Sequence, residues 1–273
     1  MRRKPRSISI TSGKGGTGKT TITANLGISL STLGKRVTII DGDLTMANLA
    51  IIMNIHQVKT SFLDVLKGKA EIDSAVHENW GVRVIPTGFR FEDAQEAISK
   101  IDKERVKEIV YELLRDTDFL LIDAAAGVQD ATIVSIAAAS EMLLVCNPTH
   151  PSVVDGYKMV RFANLLGAWT RGVVVNRIGK KSELTPKEIE QFMSRSLGPM
   201  PVLAEIPEDP KVQEAENEGV PFVVYDPECS ASVAIHELAK VVAGEKDLPT
   251  ISGKAALSEV SRRLLRALTG SGT

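Results

Sequence analysis

Ser12-Gly13-Lys14-Gly15-Gly16-Thr17-Gly18-Lys19-Thr20 is the stretch on which the reading of the chain turns. Four glycines and two lysines crowd into nine residues directly after the alternating run Ser7-Ile8-Ser9-Ile10. The spacing Gly13, Gly18, Lys19, Thr20 fits G-x-x-x-x-G-K-[ST]. It lies between a strand-like run and a helix-like one, the context in which that pattern cradles phosphate. Glycines let backbone N–H groups converge on phosphate oxygens, Lys19 neutralises them, the Thr20 hydroxyl can hold Mg²⁺, and the helix that begins there offers its positive end. Gly13, Gly15, Gly16, Thr17, Gly18, Lys19, Thr20 and Thr21 are the expected phosphate-binding residues. A plain glycine turn would need neither lysine.

Outward from that loop, apolar β-branched runs alternate with helical stretches. Strands are expected at 7–11, 36–40, 82–85, 119–122, 141–146, 172–176 and 202–206. Helices are expected at 19–33, 103–115, 130–139, 152–166, 185–196, 210–218 and 230–243, several of them closed by glycine. Runs such as Phe119-Leu120-Leu121-Ile122 are apolar at every position, as strands covered on both faces require. The pattern predicts an α/β fold: a doubly wound, mostly parallel sheet of about seven strands with helices on both faces. Residues 7–245 form the domain, preceded by a basic extension at 1–6. A linker at 246–253 leads to a last helix and tail at 254–273.

Carboxylates stand where such a sheet binds ligands. Ile39-Ile40-Asp41-Gly42-Asp43 places two acids at i and i+2 at the rim beyond a strand. Phe119-Leu120-Leu121-Ile122-Asp123 is an apolar strand ending in an acid, the Walker B arrangement, so Asp123 is a magnesium residue. The pattern N-K-x-D, which reads guanine, has no counterpart in Val175-Asn176-Arg177-Ile178-Gly179, and ATP is favoured.

Lys14 makes the loop K-G-G-T-G-K-T, which resembles the deviant Walker A signature of the MinD/ParA family of ATPases. The resemblance extends over about residues 7–245, and the run 41–49 is most similar to MinD-type proteins of archaea. It implies ATP and Mg²⁺ as cofactors and a nucleotide-sandwiched homodimer in which Lys14 reaches the partner's phosphates. It implies Asp41 near Mg²⁺ through water, Asp43 on a first switch positioning the attacking water, and Asn176 on adenine. The loop Ile206-Pro207-Glu208-Asp209-Pro210 would wall the base, giving Pro207, Glu208 and Asp209 binding roles. Ala124-Ala125-Ala126-Gly127 corresponds to the second switch, whose usual proline is replaced by Ala125; Gly127 would offer its N–H to the γ-phosphate. Lys14, Lys19 and Asp43 are the catalytic residues on this reading, and Thr20, Asp41 and Asp123 the metal residues. Asn176 as a strand-end cap and Asp155 as either a partner contact or a helix cap remain alternatives.

Over 273 residues, 33 Lys+Arg nearly cancel 34 Asp+Glu, so no global basic field advertises nucleic acid, and none is expected as a partner. The two cysteines, Cys146 and Cys229, form neither a C-x-x-C pair nor a disulfide framework, and the chain reads as cytoplasmic. The histidines are scattered, and 71–78 and 214–218 read as solvated acidic faces. In the tail, Leu257, Val260, Leu264 and Leu268 share one helical stripe flanked by Arg262, Arg263 and Arg266. Such a helix fits the surface of an anionic membrane, at the inner face of the cell membrane, and is similar to the terminal targeting helix of MinD-type members. Packing of those leucines on the domain is the other reading. The expected output is a positional switch at the membrane, in cell division or cellular positioning, with an unidentified regulatory partner. A ParA-like DNA-partitioning ATPase, a flagellar-number regulator and a metallocentre-assembly ATPase are the alternatives.

Overall fold

The computed structural model describes residues 4–44, 46–88, 103–128 and 130–247. The expected tail helix at 254–273, most of the expected linker, and Thr45 and Gln129 of the two expected switches lie outside the described residues.

Chain order runs β1 (Arg6–Thr11), α1 (Lys19–Thr32), β2 (Val37–Gly42), α2 (Leu49–Ile52), α3 (Phe62–Leu66), a 3₁₀ turn (Ile72–Ala75), β3 (His77–Asn79) and β4 (Val82–Ile85). It continues with α4 (Lys103–Arg115), β5 (Phe119–Ala124), α5 (Asp130–Ala138), β6 (Glu141–Cys146), α6 (His150–Leu165) and β7 (Trp169–Ile178). The last elements are α7 (Pro186–Leu197), β8 (Val202–Pro207), α8 (Pro210–Glu218), α9 (Phe222–Tyr225) and α10 (Ser230–Ala243). The strands form one eight-stranded sheet in the order β3-β4-β2-β5-β1-β6-β7-β8. Every neighbouring pair is parallel except β3 with β4.

Two-sided burial explains the uniformly apolar strands. In β5, Leu121 packs toward α1 and α10 with Leu26 and Leu238, while Leu120 and Ile122 pack toward α3 and α4 with Leu63 and Ile109. On that second face, further along the sheet, Met142 and Val173 meet Tyr157 of α6 and Phe192 of α7, whose rings meet edge-on at 5.8 Å. Apolar surface removed from water on both faces is what makes a strand with no polar alternation stable.

The eighth strand is the departure from the expected sheet. His77–Asn79 is short and only half covered, and it closes as a hairpin over Trp80 and Gly81, both with positive φ. Its polar composition, read as part of a solvated acidic face, concealed it; within that face Ile72 and Ala75 are buried. Strand ends also differ from expectation. β2 and β5 run past Asp41 and Asp123, so these acids are inside the ladder, and β7 is longer at both ends than 172–176. α6 starts at His150 with Thr149 as N-cap, so Asp155 is a mid-helix residue, paired with Lys158 at 3.2 Å, and not a cap.

β1 is where successive strands change sides: β5 and β2 lie to one side, β6 and β7 to the other. The crevice at the carboxyl ends of strands at such a point is the ligand site of open α/β sheets.

Candidate active site

The loop from Ser12 to Gly18 is shaped by what surrounds it. A Cβ at Gly13 would stand 2.2 Å from the carbonyl carbon of Asp155 in α6, so only glycine fits between loop and helix. Gly18 has φ +86° and abuts the side chain of Asn176, whose amide nitrogen donates to the Thr17 carbonyl at 2.8 Å. Arg177, at φ 58°, donates from Nη1 to the Gly16 carbonyl at 3.2 Å. β7 thus clamps the loop from one side and α6 from the other.

α1 begins at Gly18 with no side-chain cap and no acid in its first turn. Its leading N–H groups are left for an anion, in contrast to α3 and α7, which start with full capping boxes from Ser61 and Thr185. The cleft in front of them encloses 560 Å³ and is lined by the loop residues Gly15 to Thr21 together with Asp43, Ala125, Ala126 and Arg177. Beyond Gly18 a second cleft of 270 Å³ is walled by Asn176, Ile206, Pro207, Glu208 and Asp209.

Lys19 is buried and lies 3.0 Å from Asp123 Oδ1, which also accepts from the Thr23 hydroxyl at 3.3 Å. Asp41 is the direct register partner of Asp123 on the neighbouring strand and is fully buried. Burial first, and the charge of Asp123 second, push its carboxyl well above the usual carboxylate range. Its oxygens accept the N–H groups of Asp43 at 3.2 Å and Leu49 at 3.4 Å. Two buried acids therefore share one buried ammonium, and Asp123 Oδ2 has no partner among the described residues. An orphaned carboxylate oxygen beside a second buried carboxyl, with the Thr20 hydroxyl on the same cleft, fits a hard divalent cation bound through oxygen. Asp123, Thr20 and Asp41 are the residues that would hold Mg²⁺.

Most of the expected residues come together here, with specific exceptions. Gly127 does not offer its N–H to the cleft: it donates to the Ser12 carbonyl at 3.0 Å, tying the turn after β5 to the phosphate loop. The Asp209 carboxylate is committed to structure, capping α8 at Lys211 N (3.0 Å) and receiving Ser230 N–H (2.9 Å) and its hydroxyl. The Ser230 hydroxyl foremost, then the Lys211 N–H, hold it below the usual range. Asn176 is not a strand-end cap, since β7 continues to Ile178; it joins the phosphate loop to the second cleft. Asp43 lines the main cleft and accepts Met46 N–H at 3.0 Å. Lys14 lines neither cleft. Its charge is felt instead at Glu183, whose carboxyl is lowered chiefly by hydrogen bonds from His150 and in small part by Lys14.

Residues missed by sequence reading are Arg177, Phe222 and Glu216. Glu216, within the stretch read as a solvated acidic face, accepts from Thr21 Oγ1 at 3.2 Å and lines both clefts. Arg177 was visible as a cation next to Asn176; its left-handed backbone was not.

A model of the ParA family, described as NUBPL iron-transfer P-loop NTPase, matches residues 4–243. An uncharacterized ATP-binding protein of Methanocaldococcus jannaschii is 38% identical over 241 residues, 88% of this chain and 88% of that protein. Among solved structures, the cell division ATPase MinD of Pyrococcus furiosus aligns with a TM-score of 0.81 and 36% identity, covering 88% of this chain and 99% of that one. The septum site-determining protein MinD of Pyrococcus horikoshii, complexed with Mg-ADP, gives a TM-score of 0.80 at 35% identity, covering 87% and 96%.

Proposed function

The chain belongs to the MinD/ParA family of P-loop ATPases and is itself a Mg²⁺-dependent ATPase; from that premise we propose that it works as a dimerising, ATP-timed positional switch at a membrane surface. The observation that carries the reading is the division of labour between the two loop lysines. Lys19 lies inside the phosphate cleft, whereas Lys14, five residues earlier, lines neither cleft and is left for phosphates bound elsewhere. A second copy of the chain meeting this one cleft to cleft supplies those phosphates.

Phosphoryl transfer to water needs little covalent help from protein, so the work is positioning and charge neutralisation. When bound, Mg²⁺ supplies compensation for the triphosphate's charge. Lys19 turns from Asp123 to the phosphates, the N–H groups at the start of α1 hold their oxygens, and Asp43 orients the attacking water. Lys14 of the opposite protomer adds a cation where negative charge grows, and the closed interface excludes bulk solvent. Hydrolysis removes what the two protomers share, so the nucleotide sets the lifetime of the dimer. Adenine is taken by the smaller cleft, against Asn176, Pro207 and Glu208. The Pyrococcus relatives, named for cell division and septum-site determination, support a positional output of this kind. The tail at 254–273, with its leucine stripe and arginine flanks, is the membrane contact, and pairing two tails in one dimer strengthens it.

The iron-transfer wording of the family model raises a second reading. Against it, Cys146 is fully buried with its thiol pushed up to about 12, and Cys229 lies apart on the cap of α10. No group of three or more His, Cys, Asp or Glu side chains placed to hold a metal occurs among the described residues.

Sedimentation velocity with ATP and with ADP tests the lysine assignment. Wild type should dimerise with ATP alone, and Lys14→Ala should stay monomeric and lose hydrolysis; an unchanged sedimentation profile refutes the trans role. Co-sedimentation with anionic vesicles, with and without residues 254–273, tests the location. Pelleting indifferent to both nucleotide and tail removes the membrane and leaves the ATPase.

A further inference from the structure

The turn between β5 and α5 departs from the family pattern at Ala125, which stands where proline is usual. A proline ring fixes its own φ and so narrows the shapes a turn can take, whereas alanine leaves that freedom open. Ala125 and Ala126 line the main cleft two and three residues beyond Asp123. Freedom in this turn is therefore freedom in the wall of the phosphate site.

Hydrogen bonds hold the turn in place of a ring. At its near end Ala124 stays in the sheet, in register with Gly42 of β2. At its far end the Gly127 N–H goes to the Ser12 carbonyl at 3.0 Å. Between them the Ala125 carbonyl accepts the Thr132 hydroxyl at 3.1 Å, and both residues are buried. A hydroxyl on a helix ordinarily bonds a carbonyl three or four residues back. Ser135, one turn further along α5, does so, donating to Ala131 at 2.9 Å, and Thr23 of α1 does the same with Lys19 at 2.9 Å. Thr132 instead reaches seven residues back, out of the helix and onto the turn. α5 is a firm base for that bond: a Cβ at Gly42 would stand 2.6 Å from the Ser135 hydroxyl, so the helix lies close against β2. A buried carbonyl left without a donor is costly, and the bond to Thr132 thereby selects one shape of the turn.

We infer that Thr132 is a positioning residue for ATP hydrolysis: its hydroxyl gives the turn at 125–127 the fixed shape that a proline ring at 125 would give, and so sets the wall against which the phosphates lie. Thr132 lines neither cleft and acts through the Ala125 carbonyl. A hydroxyl at 132 and a ring at 125 are alternative means to one end. Either makes the other dispensable.

The test is a double-substitution cycle in the full chain, Thr132→Val with Ala125→Pro. Thr132→Val keeps the side-chain shape and deletes the hydrogen bond. It should lower kcat about tenfold with little change in KM for ATP, the rate equivalent of one buried hydrogen bond, and Thr132→Ser should restore the rate. Ala125→Pro should change little in the parent and recover most of the loss in Thr132→Val. In the nucleotide-free protein, hydrogen exchange at the Gly127 amide should quicken about tenfold in Thr132→Val and return to the parent rate in the double variant, a readout independent of turnover. All rates are read well below the melting temperature of each variant. A Thr132→Val protein that melts lower but keeps parental kcat and exchange overturns the assignment, leaving the bond a matter of stability alone. Equal effects of Ala125→Pro in both backgrounds also overturn it, by showing that ring and hydroxyl act separately. Should Thr132→Val fail to fold, recovery of folding and kcat together on adding Ala125→Pro supports the exchange, and failure in both backgrounds refutes it.

Discussion

Replacing Gly13 by alanine tests the seating of the phosphate loop more sharply than any substitution of its charged residues. The added methyl would meet the Asp155 carbonyl carbon at 2.2 Å, its oxygen at 2.5 Å and its Cβ at 2.6 Å, where ordinary contact begins at 3.4 Å. These atoms are helix backbone and the first side-chain carbon, with no flexible tip to yield. Either the loop or α6 must retreat by more than an ångström. Overpacking of this kind costs about 1–3 kcal/mol, and a reacting group displaced by an ångström loses on the order of 10²-fold in rate. Gly15 is the internal control: nothing lies within 4 Å of its added Cβ and its φ is not positive, so Gly15→Ala keeps the N–H and meets no obstacle. Thermal melts together with steady-state ATP hydrolysis should therefore show Gly13→Ala destabilised and about a hundredfold slower in kcat/KM, with Gly15→Ala near wild type in stability. Equal melting and equal turnover for Gly13→Ala would refute the loop-on-helix contact.

Asp41 makes stability depend on pH. Its raised carboxyl means the folded chain keeps a proton that the unfolded chain has released, so stability of the nucleotide-free protein falls as pH climbs from about 4 through the raised folded value. In urea titrations with EDTA, Asp41→Asn should be the more stable protein at neutral pH, with the gap closing as pH approaches 4; a pH-independent gap rejects the assignment. Cys146, pushed up to about 12 by burial, should resist a thiol reagent at mildly alkaline pH until the protein unfolds, while Cys229 reacts in the native state. Two fast thiols would mean that the carboxyl end of β6 is open.

How much was legible follows from the range of the interactions involved. The phosphate loop, the apolar strands and the glycine-closed helices are local patterns, set by backbone freedom and by burial on two faces, and they stood in the sequence of 7–20 and 119–123 as plainly as in the fold. The identities of Lys19, Asp123 and Asp41 as a group were legible for the same reason: each follows a strand or opens a helix at the same rim. The hairpin strand His77–Asn79 was not, because half-exposed polar residues carry no periodicity that separates them from a loop.

What only the tertiary structure decided is which partner each polar group takes. Gly127 spends its N–H on Ser12, Asp209 spends its carboxylate on Ser230 and Lys211, and Glu216 reaches Thr21. Each bond joins residues distant in sequence or competes with a motif role that the local pattern alone would assign. The sequence by itself determined the sheet, the phosphate loop and the acids at its rim, since these rest on short-range geometry and hydrophobic patterning. The three-dimensional packing decided that Lys14 stays outside its own cleft, that Asp41 and Asp123 face each other across one ladder step, and that the last carbonyls of α10 are held by Arg6 and Arg171. Those are distances between remote segments, and no spacing along a chain encodes a distance until the chain has closed on itself.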